Sequence, residues 1–171
     1  MITRRNFLKA GAAVAALSVV PNGFASILAK KEKAIGVQLY SVRDDLKTDF
    51  DGTMKALVDI GYKRMEAAGY RDGKFYGKSP AEMKKYLADL GARMVGSHTG
   101  SGLRAEGDTK GWDFWKKNAA DTAEVGCKWI VQAGYPSKDI KSLSDVKRLA
   151  DQFNKCGEIA KANGLRFAFH N

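Results

Sequence analysis

The chain has 171 residues, of which 44% are hydrophobic and 28% charged, with a formal net charge of +10, two cysteines and two histidines. That length suits about one domain, and the balance excludes a disordered chain, a collagen-like repeat or a disulfide scaffold. The Lys and Arg residues are dispersed along the sequence rather than gathered in one tract, so they read as solvated surface and argue against a nucleic-acid partner.

Taken in order, the first element is a leader. Thr3-Arg4-Arg5-Asn6-Phe7-Leu8-Lys9 is followed by an apolar run from Ala10 to Val20, then by Pro21 and the small residues Gly23 and Ala25. Basic, apolar and cleavage-site segments in that order describe an export signal. An eleven-residue apolar run is too short for the roughly 20 residues that span a bilayer, so no stable membrane anchor is expected. The Thr-Arg-Arg-x-Phe-Leu-Lys pattern resembles a twin-arginine signal, which implies the twin-arginine export machinery as a partner, passage in a folded state and a periplasmic destination. Residues 1–29 are therefore set apart as signal peptide and linker, and 30–171 as the folded part. Loss of Arg4, Arg5 and Lys9 lowers the net charge to +7. Cys127 at a strand entry and Cys156 in a helix lack the spacing of a metal knuckle and read as two separately buried thiols, although export would permit a disulfide.

After the charged linker Lys30 to Lys33, the fold opens at Ile35-Gly36-Val37-Gln38-Leu39-Tyr40, a strand with one aliphatic face. Phe50, Met54, Leu57 and Val58 form a helical stripe closed by Gly61. A second strand spans Arg64 to Ala68, followed by a loop from Gly69 to Lys78. Ser79-Pro80 caps the next helix, whose stripe is Met83, Leu87 and Leu90. The third strand, Arg93 to Thr99, leads to a glycine-rich loop from Gly100 to Gly111 and a helix burying Trp112, Trp115 and Ala119. The fourth strand, Lys128 to Ala133, precedes a helix after Ser144 whose buried side is Val146, Leu149, Ala150, Phe153 and Ala160. A fifth strand ends at His170.

Gly61, Gly91, Gly126 and Gly164 each close a helix and open a strand, at spacings of 30, 35 and 38 residues. Each interval holds one strand, one helix and two loops, which predicts a parallel sheet with right-handed crossovers. Long loops follow strands and tight glycine turns precede them, so functional groups are expected at the strands' carboxyl ends. Alternation directs Ile35, Val37, Leu39, Phe167 and Phe169 toward the helices and leaves Gln38, Tyr40, Glu66, His98, Gln132 and His170 on the inner face. A ring of polar side chains at one end of a parallel sheet suits a polar ligand, so these six are the candidate substrate-binding residues. Two histidines without several carboxylates are not in themselves a metal signature, and no catalytic residue is assigned.

Ile35 to Arg43 (IGVQLYSVR), the Gly61-Tyr62-Lys63-x-Met65-Glu66 strand entry, Ser97-His98 and above all Phe169-His170-Asn171 resemble the xylose isomerase-like TIM-barrel superfamily, in its exported sugar phosphate isomerase/epimerase branch. That branch reads Tyr-His-Asn-His in its fifth strand, with Glu-Phe shortly after; Phe169 stands in place of the tyrosine. The resemblance implies an α/β fold, a (β/α)8 barrel of which about the first five βα units are present. It implies isomerisation or epimerisation of a small-molecule sugar or sugar phosphate through a metal-stabilised enediolate. The divalent metal, Mn, Mg, Zn or Co, would take ligands mostly beyond residue 171, so the chain alone is expected to be inactive. Unpaired edges of a five-strand sheet invite an oligomer. A lyase or hydratase acting on an oxidised sugar and a non-catalytic carbohydrate-binding or vestigial fragment are the alternatives, with a metal-dependent endonuclease ranked last.

Overall fold

The structure, a computed structural model, describes residues 35–100, 109–135 and 137–170. The leader and linker, most of the glycine-rich loop after the third strand, Pro136 and Asn171 lie outside the described residues, together with the expectations that fall on them.

Strand β1 (Ile35–Gln38) stops two residues sooner than its alternation predicts. Leu39–Val42 winds into a 3-10 turn and carries the chain into α1 (Arg43–Thr48) and α2 (Phe50–Ile60). Asp49 caps α2 by accepting the Gly52 N–H, and Gly61 closes it at φ 115°, its own N–H donating to the Leu57 and Val58 carbonyls. A side chain at that φ would be strained, which is why the repeat is punctuated by glycine. After β2 (Tyr62–Ala67), the segment expected as loop contains a hairpin of β3 (Tyr70–Arg71) and β4 (Lys74–Phe75). It turns on Asp72-Gly73 at φ 52° and 74°, the left-handed pair that twists with flanking strands.

Helix α3 (Pro80–Asp89) starts with the expected cap, a reciprocal box between Ser79 and Glu82. Then come β5 (Arg93–Thr99), α4 (Thr109–Glu124), β6 (Trp129–Ala133), a 3-10 turn at Ser137–Asp139, α5 (Leu143–Ala162) and β7 (Arg166–His170). The five long strands form one parallel sheet in the order β1-β2-β5-β6-β7, so sequence order is spatial order and each helix connects neighbouring strands.

One face of this sheet carries the core. Met65, Met94 and Ile130 are buried with Met54, Leu57, Met83, Leu87, Trp115, Ala119, Cys156 and Ala160 from the helices. Trp115 meets Phe167 edge-on at 5.9 Å and donates its indole N–H to the Cys156 carbonyl at 3.4 Å. Burying a side chain of that size contributes roughly 4–6 kcal/mol of apolar transfer. Two stripe residues of α5 depart from expectation, since Val146 and Ala150 are exposed. β7 is an edge strand, and no described strand lies beyond it to cover the first turns of α5.

A buried polar layer, unforeseen in the sequence, joins α4 to the end of β5. Asn118 Nδ2–H donates to Thr99 Oγ1 at 2.7 Å, and Asn118 Oδ1 accepts from the Thr122 hydroxyl at 3.1 Å. Neither Cys127 nor Cys156 is in a disulfide; both are buried, and burial, helped by the Glu66 charge, pushes the Cys127 thiol up to about 12. Among the described residues no helix is long and apolar enough to cross a membrane.

Candidate functional site

Register decides which side chains reach the inner face. Met65 pairs with Met94 but Glu66 pairs with Gly96, so β5 holds an extra residue, Val95, at that step. The bulge lets Met94 stay in the core while Gly96 and His98 turn to the face that carries Glu66. Gly96 keeps that face open between neighbours, because a Cβ there would touch Glu66 Cγ at 3.5 Å and Trp129 Cβ at 3.6 Å.

Four of the six candidate residues come together, one from each of β1, β2, β5 and β7. Gln38 Nε2–H donates to Glu66 Oε1 at 2.7 Å, and the same nitrogen lies 2.9 Å from His98 Nδ1. His98 Nε2 is 3.6 Å from Glu66 Oε1, and the His170 ring centroid is 5.1 Å from that of His98, tilted by 56°. The His98 side chain is 10% exposed and Glu66 31%, so the ring is largely shielded from solvent while the carboxylate stays accessible. Burial pushes His98 below the ordinary imidazole value of 6.5; the Glu66 charge opposes the shift and a charge on His170 adds to it. A depressed value leaves the ring neutral at pH 7, beside a carboxylate.

The other two candidates lie elsewhere. Gln132 faces the helices, not the inner side: it alternates with the fully buried Ile130, is itself 2% exposed, and donates from Nε2 to the Gly134 carbonyl at 3.1 Å. The run Trp129-Ile130-Val131 is apolar throughout and carries no alternation from which its parity is legible. Register resolves it, pairing Gly96 with Trp129, His98 with Val131 and His170 with Ala133, so Trp129, Val131 and Ala133 occupy the inner positions of β6. Tyr40 stands in the 3-10 turn beyond β1, 56% exposed, with the Arg43 guanidinium 4.5 Å over its ring.

Past the end of β2, a cleft of about 580 Å³ is lined by Ala68, Gly69, Tyr70, Arg71, Lys74 and Tyr76 among others. Its hairpin is fastened at both ends. The Tyr70 hydroxyl donates to Asp121 Oδ2 at 2.6 Å, and Asp121 also holds Lys117 at 2.8 Å; the Tyr76 hydroxyl accepts the Ala68 N–H at 2.9 Å, with its ring 5.4 Å from Phe50 of α2. The Asp-Gly pair between Tyr70-Arg71 and Lys74-Phe75 is the sequence signal that marks this hairpin.

The described residues do not by themselves make a site for the divalent metal implied by the resemblance, whose ligands are expected mostly beyond residue 171. Glu66, His98 and His170 are suitable ligand types, but Gln38 occupies the His98 Nδ1 and bridges it to Glu66, which makes a hydrogen-bonded cluster rather than a chelate. Among the described residues no group of three His, Cys, Asp or Glu is arranged to hold an ion.

Similarity to known proteins agrees with this architecture. A family model for xylose isomerase-like TIM barrels matches residues 54–171, and one for twin-arginine translocation pathway signal sequences matches residues 1–21, so the chain carries a signal for export across the cytoplasmic membrane. A solved sugar phosphate isomerase/epimerase from Parabacteroides distasonis is 33% identical, with a TM-score of 0.72 over 84% of this chain and 53% of its own. Another from the same organism is 29% identical, with a TM-score of 0.68 over 81% and 54%. The IolI protein, solved with a zinc atom, shares the fold at 15% identity and a TM-score of 0.53, over 70% of this chain and 45% of its own. No curated protein matches the sequence. The chain spans about half the length of these two sugar phosphate isomerase/epimerase structures. A five-stranded parallel sheet with sequential helical crossovers and a match over residues 54–171 lead to one conclusion: the chain belongs to the xylose isomerase-like TIM barrel family.

Proposed function

We propose that the inner-face cluster forms part of the substrate pocket of a sugar or sugar phosphate isomerase/epimerase that works in the periplasm. The observation that carries this reading is the contact of Glu66 and His98, a carboxylate and a neutral imidazole 3.6 Å apart, at the carboxyl ends of adjacent parallel strands. Its support is the similarity to sugar phosphate isomerases/epimerases at 33% and 29% identity. Moving a carbonyl along a sugar requires a base for the proton on the neighbouring carbon and a donor for the carbonyl oxygen. In this reading the carbon–hydrogen bond gives its proton to the carboxylate, and its electron pair becomes the carbon–carbon double bond of an enediolate. The carbonyl π pair moves onto the oxygen that the imidazole side holds. Return of the proton to the other face of the same carbon, with the carbonyl re-formed, gives the epimer; its delivery to the former carbonyl carbon, with the neighbouring hydroxyl's proton passing to the former carbonyl oxygen, gives the isomer. His170 and Gln38 supply further hydrogen bonds to the polyol.

The test is proton exchange next to the carbonyl of aldoses, ketoses and their phosphates, followed by NMR in deuterated water with the full product of the gene. Glu66→Gln is expected to lower exchange by about 10²-fold or more. Exchange that is undiminished in both Glu66→Gln and His98→Gln would remove the cluster from the reaction, and absence of exchange with any sugar would remove the activity.

A further inference from the structure

The Gln38 amide faces two acceptors at once. One of its atoms lies 2.7 Å from Glu66 Oε1 and 2.9 Å from His98 Nδ1. A carboxylate oxygen only accepts, so the atom that meets it is the amide nitrogen; the flipped amide would set two oxygens 2.7 Å apart without a proton between them. The NH2 group has two protons, and one of them serves Glu66. The other is left for His98 Nδ1, and an imidazole nitrogen that accepts a hydrogen bond carries no proton. The single proton of the neutral ring therefore sits on Nε2, the nitrogen on the Glu66 side at 3.6 Å.

We propose that Gln38 is a positioning residue that locks His98 in its Nε2–H tautomer, so that His98 serves as hydrogen-bond donor and Glu66 as the base. With its lone pair on Nδ1 engaged by Gln38, the ring has no free nitrogen with which to take a proton. What it offers the pocket is an N–H, suited to a carbonyl oxygen. The division of labour rests on the proposed isomerase reading; the tautomer does not.

In the full product of the gene the ring ¹⁵N signals of His98 are assigned through correlations to its own backbone, and those of His170, the other histidine of residues 1–171, are removed in a His170→Gln variant. The expected wild-type pattern is a protonated Nε2 and an unprotonated, hydrogen-bonded Nδ1. Gln38→Leu should move the Nδ1 signal to the position of a nitrogen without a hydrogen bond. Gln38→Glu replaces the donor by an acceptor and should place a proton on Nδ1. In the exchange assay Gln38→Leu should lower kcat about tenfold or more while leaving KM near the wild-type value.

A wild-type ring with its proton on Nδ1 overturns the proposal. So does a Gln38→Leu protein whose Nδ1 signal stays in place. The wild-type spectrum needs no substitution, so the tautomer is decided even where a variant fails to fold. The expected tautomer in a protein that exchanges no sugar proton would overturn the donor and base roles and the isomerase reading while upholding the lock.

Discussion

Asn118→Ala removes the centre of the polar layer between α4 and β5. Asn118 is fully buried and makes hydrogen bonds at 2.7 Å to Thr99 and 3.1 Å from Thr122. Each has a net worth of about 1 kcal/mol, and leaving the Thr99 hydroxyl buried without its partner adds about 1–3 kcal/mol. Thr122 recovers part of its loss, because a helical threonine can turn its hydroxyl onto the carbonyl four residues back. The expected cost is about 3 kcal/mol, a large share of the roughly 5–15 kcal/mol that separates folded from unfolded states. Urea unfolding followed by tryptophan fluorescence reads it, since Trp115 is on the same helix and fully buried. A double-mutant cycle with Thr99→Val isolates the pair, with a coupling of about 1 kcal/mol expected. A loss below about 1 kcal/mol, or additivity of the two substitutions within about 0.3 kcal/mol, would refute the account.

Removing the Glu66 charge should lower the His98 pKa further. The carboxylate lies 3.6 Å from the ring and favours its charged form, so Glu66→Gln should move the NMR titration of His98 to lower pH. Because folding already holds His98 below 6.5, protonation favours the unfolded chain. Its stabilising contribution is complete above pH 6.5 and is lost as the pH falls toward the folded value, so wild type should lose more unfolding free energy than His98→Gln across that window. Gly69→Ala should destabilise by about 1–3 kcal/mol in thermal unfolding, since its Cβ would sit 2.6 Å from a Tyr76 ring that is fastened at its hydroxyl. Replacing Arg4 and Arg5 together with Lys should leave precursor in the cytoplasm, detectable by fractionation.

Periodicity made the architecture legible because each unit is closed by the same device. Gly61, Gly91, Gly126 and Gly164 all adopt positive φ, and the strand and helix order follows from them. The facing of the candidate residues was legible where alternation was unambiguous, as at Gln38, Glu66 and His170. His98 also reached the predicted face, but through a bulge at Val95 that no local sequence signal announces. Parity failed at Gln132 because three apolar residues in succession precede it, and Tyr40 was misplaced because the strand gives way to a 3-10 turn. The polar layer was missed for a different reason. Asn118 and Thr122 share the stripe of Trp115 and Ala119, and what lets them be buried is Thr99, a partner nineteen residues away in sequence.

The shielded thiols bear on how the chain meets oxidants. Disulfide exchange proceeds through the thiolate, and a group pushed up to about 12 presents about one thiolate in 10⁵ at pH 7. Cys127 is 3% exposed and Cys156 4%. Folded, the chain keeps Cys127 and Cys156 out of reach of oxidants and of catalysts of disulfide formation. Its cysteines react only when the helix layer lifts from the sheet, so the rate at which a small thiol reagent labels them becomes a stopwatch for that opening.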